Sequence, residues 1–233
     1  MLEAMHGAFA LLLSGDPDLW RIIWISLKTS VLALALAAPL AVGIGYAIAS
    51  SRFHGRRIVI WLVQAMLSLP TVLVGLLLYL LLSRHGPLGA MHLLFTQPGV
   101  MLGQFVICMP VLVAFTLAAV QAADPRYAET ALALGASRWR TMQSVLHEVR
   151  FGVMAAVISG FGRVISEVGC ALMVGGNIAG ETRTITTAIA LETSKGEFAQ
   201  GIALGMVLIA LALLMNGALM FLQGDAHALR GRA

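Results

Sequence analysis

Charge is scarce in this chain. Charged residues make up 11% of its 233 residues, against 59% hydrophobic, about half the charged share of a soluble domain. A soluble chain of this length can bury a good core but needs more charge to cover its surface, so an ordinary soluble domain is excluded. The net charge of +4 is too small for a nucleic-acid footprint, and no nucleic-acid partner is expected. Cysteine is nearly absent. Cys108 and Cys170 both lie in apolar runs, without metal-site spacing or a disulfide framework, and read as small hydrophobes. The apolar runs hold no His pair, no Gly-x-Ser-x-Gly and no Asp dyad, which leaves an intramembrane enzyme without catalytic groups. No Gly-rich Lys-Ser/Thr phosphate loop occurs, so the chain is not itself an ATPase, and a non-catalytic role is expected. The absence of an internal repeat gives no support to the inverted-repeat plan of many secondary transporters. The first residues lack the basic and cleavage regions of a signal peptide. The apolar stretch from Phe9 to Leu13 is too short to span a bilayer and is expected at its interface.

What the chain does have is apolar length. Five runs approach or exceed the roughly 20 residues that cross a bilayer as helix: residues 22–50, 58–83, 99–122, 151–174 and 201–222. None alternates with the period of a membrane strand, so helices are the structure that satisfies the backbone in lipid. The fold expected is an all-α membrane protein with five transmembrane helices. Lys and Arg in the connecting segments give its orientation. Arg52, Arg56, Arg57, Arg126, Arg138, Arg140, Arg150, Arg230 and Arg232 fall on one side, and Arg21, Arg84, Arg183 and Lys195 on the other. By the positive-inside rule the N-terminus is outside and the C-terminus cytoplasmic. Pro39, Gly43 and Gly45 sit in the first run, Pro70 breaks the second after Ser68, and Pro110 interrupts the third. Such breaks serve either irregular packing or a pathway built from bent helices.

Residues 123–150 form the longest basic segment. Asp124 can cap a helix that starts at Pro125, and Ala128–Leu134 are good helix formers. Gly135 suits the position just past a helix end, and Ser137 can cap a second short helix from Arg138. Two short helices meeting at a small-residue corner fit a groove on a soluble partner or lie as an ordinary interfacial loop; composition leaves both open. In the fourth run Arg163 and Glu167 stand one helical turn apart and can pair. Charges at membrane depth face the bundle interior, either as a structural pair or as lining of a pathway. Residues 173–187 are rich in Gly, Thr and backbone N–H, and serve either as neutral donors to an oxyanion or as a plain external loop.

The run Glu129-Thr130-Ala131, followed by Gly135-Ala136-Ser137-Arg138, resembles the "EAA…G" loop of ABC importer permeases. That resemblance implies a coupling helix docked on an ATPase subunit, with Glu129, Ala131, Gly135 and Ala136 as its core and Arg138 beside it. Leu146-His147-Glu148 stands where the family ends its loop in Leu-Pro. Ser166-Glu167-Val168-Gly169 and Gly176-Asn177-Ile178-Ala179-Gly180-Glu181-Thr182 are similar to molybdate and tungstate permeases, with Val168 in place of Phe and Ala179 in place of Pro. The string from Thr186 to Gly196 looks like the tungstate branch, and Ser26, Leu27 and Lys28 fit the same group. The resemblance covers about residues 20–223 and implies a single permease domain of the type I importer fold. It also implies a homodimer of this chain in the bacterial inner membrane, served by an ATPase dimer and an extracytoplasmic oxyanion-binding protein. ATP and Mg would sit on the ATPase, with no cofactor on this chain. Arg163, Glu167, Gly169, Asn177 and Thr182 are its expected pathway or gate residues. A stand-alone channel or secondary anion carrier is the alternative.

Overall fold

In the computed structural model the described residues are 14–230, together with residues 7 and 10–12. Phe9 and Leu13, which bound the segment expected at the interface, and Arg232 of the tail lie outside them. Among the described residues the regular structure is helical, and its elements are α1 (Pro17–Ser50), α2 (Arg56–Leu67), α3 (Thr71–Leu82), α4 (Gln97–Gln121), α5 (Arg126–Ala133), α6 (Arg138–Glu148), α7 (Arg150–Ile165), α8 (Gly169–Gly175), α9 (Ile185–Lys195) and α10 (Phe198–Arg230), with one 3₁₀ turn at Gly89–Met91.

Three helices, Pro17–Ser50, Gln97–Gln121 and Phe198–Ala218, are each long and apolar enough to cross a membrane, and the total is five if α2 with α3 and α6 with α7 each count as one span. α1 starts cleanly because the Asp16 carboxylate accepts from the backbone N–H groups of Asp18 (2.8 Å) and Leu19 (3.2 Å), leaving Pro17 in the first turn, where its missing donor costs nothing.

The expected breaks need correction at Pro39, at Pro110 and in the fourth run, while the break expected after Ser68 is present. Pro39 and Pro110 sit inside α1 and α4 without ending either helix. Each removes one backbone hydrogen bond, and the helix continues on both sides. Pro70 does end its run. It stands in extended geometry as the cap of α3, and the stretch 58–83 is two twelve-residue helices with Ser68–Pro70 between them. The stretch 151–174 is also divided: α7 stops at Ile165 and α8 begins at Gly169. α6 and α7 meet at a 75° bend. Hydropathy is blind to this, because it averages over a window and registers no change of axis.

The chain gathers into two compact units. One holds the chain up to Ala35, Leu69–Ile107 and Phe161–Met215, and the other holds Leu36–Ser68, Cys108–Gly160 and the chain from Asn216. The first unit has two apolar clusters. In one, Leu19, Ile22 and Ile23 of α1 meet Ile185 and Ala188 of α9 and Ala203 and Leu204 of α10. In the other, Leu78 and Leu82 of α3 meet Ile107 of α4 and Cys170 and Val174 of α8. Both cysteines are buried. In the second unit Gly45 of α1 lies against Thr116 of α4, and Gly152 of α7 against Ala119 of α4.

Small residues set these contacts, as expected where lipid removes the hydrophobic drive between helices and close backbone approach takes its place. α3 and α8 show it best. A Cβ on Gly75 would come within 2.7 Å of the Cys170 Cα, and one on Gly169 within 2.5 Å of the Val72 Cγ2. Outward-facing positions are apolar instead: Trp24 is 65% exposed, Leu36 60% and Leu213 68%, a surface that belongs in hydrocarbon.

Gly75→Ala should therefore destabilise the protein by about 1–3 kcal/mol through overpacking. Gly43→Ala, where the added atom meets nothing within 4 Å, should be neutral or slightly stabilising from helix propensity. Thermal unfolding of the detergent-purified protein separates the two, and equal melting temperatures would refute the close-approach account of Gly75.

Candidate functional site

Glu167 lies in the break between α7 and α8, with 3% of its surface exposed. A carboxylate that deep needs partners. One oxygen, Oε2, accepts from the Arg163 guanidinium on α7 at 2.9 Å. The other, Oε1, accepts from the Cys170 backbone N–H in the first turn of α8 at 3.0 Å. The backbone carbonyl of Glu167 accepts from the Thr186 hydroxyl of α9 at 2.6 Å. One residue thus ties three helices. Sequence spacing placed Arg163 and Glu167 on one helix face. The pair forms across the helix end instead, with Glu167 beyond the last turn of α7 and serving as a cap for α8.

Residues 175–187 are neither a plain loop nor an open array of donors. α8 ends at Gly176 in left-handed geometry, and Asn177 follows at φ 52°. The buried Thr182 hydroxyl donates to the Gly175 carbonyl at 2.5 Å and accepts from the Ile178 N–H at 3.0 Å, closing the turn on itself. Asn177 Nδ2 donates to the Thr187 carbonyl at 3.3 Å. Thr184 and Thr187 form a reciprocal cap for α9, with the Thr184 N–H bonded to the Thr187 hydroxyl at 2.9 Å. Ser26 of α1 accepts from the Ile185 N–H at 2.6 Å, so α1 supplies another acceptor to the same helix start. The hydroxyls of this segment face inward and hold backbone. Two cations belong to this cluster: Arg163, with 36% of its side chain exposed, and half-buried Arg183, whose Nη2 donates to the Asn177 carbonyl at 3.4 Å; both keep further N–H donors.

Of the five residues expected to line or gate a pathway, Arg163, Glu167 and Gly169 meet at the α7–α8 break, and Asn177 and Thr182 build the following turn. Thr186 and Thr187 on α9 bond to both groups. Gly169 is there for close packing against Val72. Sequence reasoning missed Ser26, Thr184, Thr186 and Thr187 as the frame of the cluster. A Thr three residues before another Thr, ahead of the apolar Ile185, was the available signal. Gln104 of α4, 2% exposed and donating to the Ser30 hydroxyl of α1 at 3.1 Å, carried no such signal.

The second site is the corner between α5 and α6. Asp124 accepts from the Arg126 N–H at 2.9 Å. At the far end of α5 the Ala136 N–H bonds to the Ala131 carbonyl at 3.0 Å and the Gly135 N–H to the Leu132 carbonyl at 2.9 Å. With Gly135 at φ 79°, this is a complete Schellman stop. Ser137 then caps α6 by accepting from the Arg140 N–H at 3.4 Å. Glu129, Gly135 and Arg138 are exposed, while Ala131 and Ala136 are half-buried. Leu134 is 83% exposed and Trp139 64%, so the corner offers apolar side chains as well as charge.

Long apolar helices of membrane length, short helices α8 and α9 with buried polar caps, and an exposed helix corner between the third long run and the fourth make this a polytopic membrane domain. The chain belongs to the family described as binding-protein-dependent transport system inner membrane component, whose model matches residues 39–224. It is 41% identical over 210 residues to a probable anion ABC transporter permease protein of Haloferax volcanii, covering 87% of this chain and 90% of that one. It is 38% identical to the tungstate uptake system permease protein TupB of Campylobacter jejuni, covering 93% of this chain and 90% of that one. Against the molybdenum transport system permease protein ModB of Escherichia coli it is 29% identical, covering 86% and 90%. Among solved structures, a bacterial alginate ABC transporter in complex with its pentasaccharide-bound periplasmic protein matches with TM-score 0.73 at 20% identity, covering 94% of this chain and 85% of that one, a likeness of fold.

Glu167→Ala removes an acceptor from α8 and leaves Arg163 without its counter-charge. A loss of about 1–3 kcal/mol is expected. Glu167→Gln, which keeps an acceptor for the Cys170 N–H, should lose less. Thermal unfolding of both variants reads the difference, and an Ala variant as stable as wild type would show the tie to be idle.

Proposed function

We propose that this chain is the membrane permease subunit of an ATP-driven importer that carries a tetrahedral oxyanion, tungstate first and molybdate second, into the cytoplasm. The observation that carries this reading is likeness to anion and tungstate permeases over about nine-tenths of the chain. The subunit has five spans, at about residues 22–50, 58–83, 99–122, 151–174 and 201–222, with the N-terminus outside. Nine Lys and Arg in the connecting segments on one side against four on the other support that orientation. It works as a homodimer with two copies of an ATPase subunit, which hold ATP and Mg, and with an extracytoplasmic protein that delivers the anion.

The α5–α6 corner is the docking element for the ATPase. Glu129, Ala131, Gly135, Ala136 and Arg138 form its core, and Leu134 and Trp139 supply apolar contact. Movement of the corner reaches the path because α6 runs directly into α7, whose far end carries Arg163. There the Arg163–Glu167 tie holds α7 to α8, and Gly169, Asn177 and Thr182 keep the segment compact. A change in the axis of α7 strains or releases that tie, which makes it a gate element for the anion path. Arg163 and Arg183 supply the positive charge of that cluster to a dianion.

Uptake tests the reading. Proteoliposomes holding this chain, its ATPase and the binding protein should accumulate tungstate only with internal ATP, measured as metal content by mass spectrometry. Uptake that persists without the ATPase would instead indicate a channel or secondary carrier. Gly135→Val is the informative variant. A β-branched residue in left-handed geometry costs about 1–2 kcal/mol, and open space around Gly135 confines the damage to the corner. Membrane insertion should be normal and ATP-coupled uptake should fall about ten-fold; wild-type uptake would remove the docking role.

A further inference from the structure

The elbow between α1 and α2 has a chemistry that transport leaves unused. Arg56 closes the end of α1: its Nε donates to the Ile48 carbonyl at 2.8 Å and its Nη2 to the Ala49 carbonyl at 3.2 Å. Arg52 and Arg57 on either side are exposed, and their side chains have no hydrogen-bond or ion-pair partner among the described residues. Together with Phe53, Gly55 and Ile58, the three arginines line a cleft of about 510 Å³ at the N-terminus of α2, the helix end that favours an anion.

The depth of this cleft follows from α1. Its 34 residues reach about 51 Å at about 1.5 Å per residue, well beyond a hydrocarbon core of about 30 Å. Once it crosses the bilayer, such a helix ends outside the hydrocarbon core, in reach of the headgroups. α2 continues from the cleft with no buried residue. Ile58, Leu62 and Met66 follow at one-turn spacing along one ridge, 63%, 48% and 45% exposed, and Trp61 beside them is 64% exposed. Tryptophan is enriched at the membrane interface.

We propose that this elbow binds an anionic phospholipid, with its phosphate between Arg52 and Arg57 and an acyl chain along Ile58, Leu62 and Met66. The ligand must be both anionic and apolar, because the free charges and the bare ridge are contiguous. A free phosphate ion would leave the ridge uncovered. A second copy of the same elbow would bring like charges together. The site depends on the chain being in a membrane and is indifferent to its cargo.

Native mass spectrometry of the full-length, delipidated protein tests this. Added phosphatidylglycerol should be retained in preference to phosphatidylcholine. The double variant Arg52→Gln, Arg57→Gln should weaken phosphatidylglycerol binding roughly 10- to 30-fold, at about one basic residue's headgroup attraction each. It should keep the wild-type melting temperature, since neither side chain has a partner to lose. Arg52→Lys, Arg57→Lys should retain most of the binding. Equal retention in the Gln variant, no preference over phosphatidylcholine, complete displacement by inorganic phosphate, or cross-linking of Ile58→Cys between two copies would each overturn the proposal.

Discussion

A buried carboxylate in a membrane domain is tolerable only when each of its oxygens has a partner, and much of the first unit is arranged to meet that requirement at Glu167. Arg163 answers one oxygen and the start of α8 answers the other. Because the residue sits in a helix break, its backbone carbonyl is also free to take the Thr186 hydroxyl. The close seat of α8 against α3 then demands glycine at positions 75 and 169. α9 is held by its threonine caps and by Ser26 from α1. Charge, cap and close approach are thus parts of one solution to placing a polar break at membrane depth.

The two candidate sites use polar groups in opposite ways. Around Glu167 they are turned inward and bonded, giving a cluster that resists deformation until a helix moves. At the α5–α6 corner the backbone is tied locally, and the side chains of Glu129, Leu134, Arg138 and Trp139 are left outside. One is suited to holding a state and the other to receiving a partner. α6 and α7 connect them with nothing longer than Val149 between.

Much of the corner was legible in the sequence, since Asp124, Gly135 and Ser137 are local signals whose meaning depends on a few neighbours. The membrane runs were legible too, as length and composition. The division of the second at Pro70 was legible as well, but that of the fourth was not. Pro39 and Pro110 carry the same local signal as Pro70 and leave their helices continuous. The break at residues 166–168 holds no proline at all. It is stabilised by the long-range bond from Thr186 and by the cap on Cys170, and spacing alone made Arg163 and Glu167 look like two points on one continuous helix. The richness of residues 173–187 in Gly and Thr was visible, but the direction of those hydroxyls is fixed by α1, α8 and α9 together, which no single window contains.

The shape of the corner rests on bonds between residues no more than five positions apart: Arg126 to Asp124, Ala136 to Ala131, Gly135 to Leu132 and Arg140 to Ser137. Its angle is therefore written into a short stretch of chain and does not rely on how the spans are composed. The lipid-facing sequence can drift while the exposed corner keeps the same form. With the docking role proposed above, interchange of parts between related assemblies becomes possible on that account, because what a foreign subunit would meet is a local motif rather than a property of the whole membrane domain.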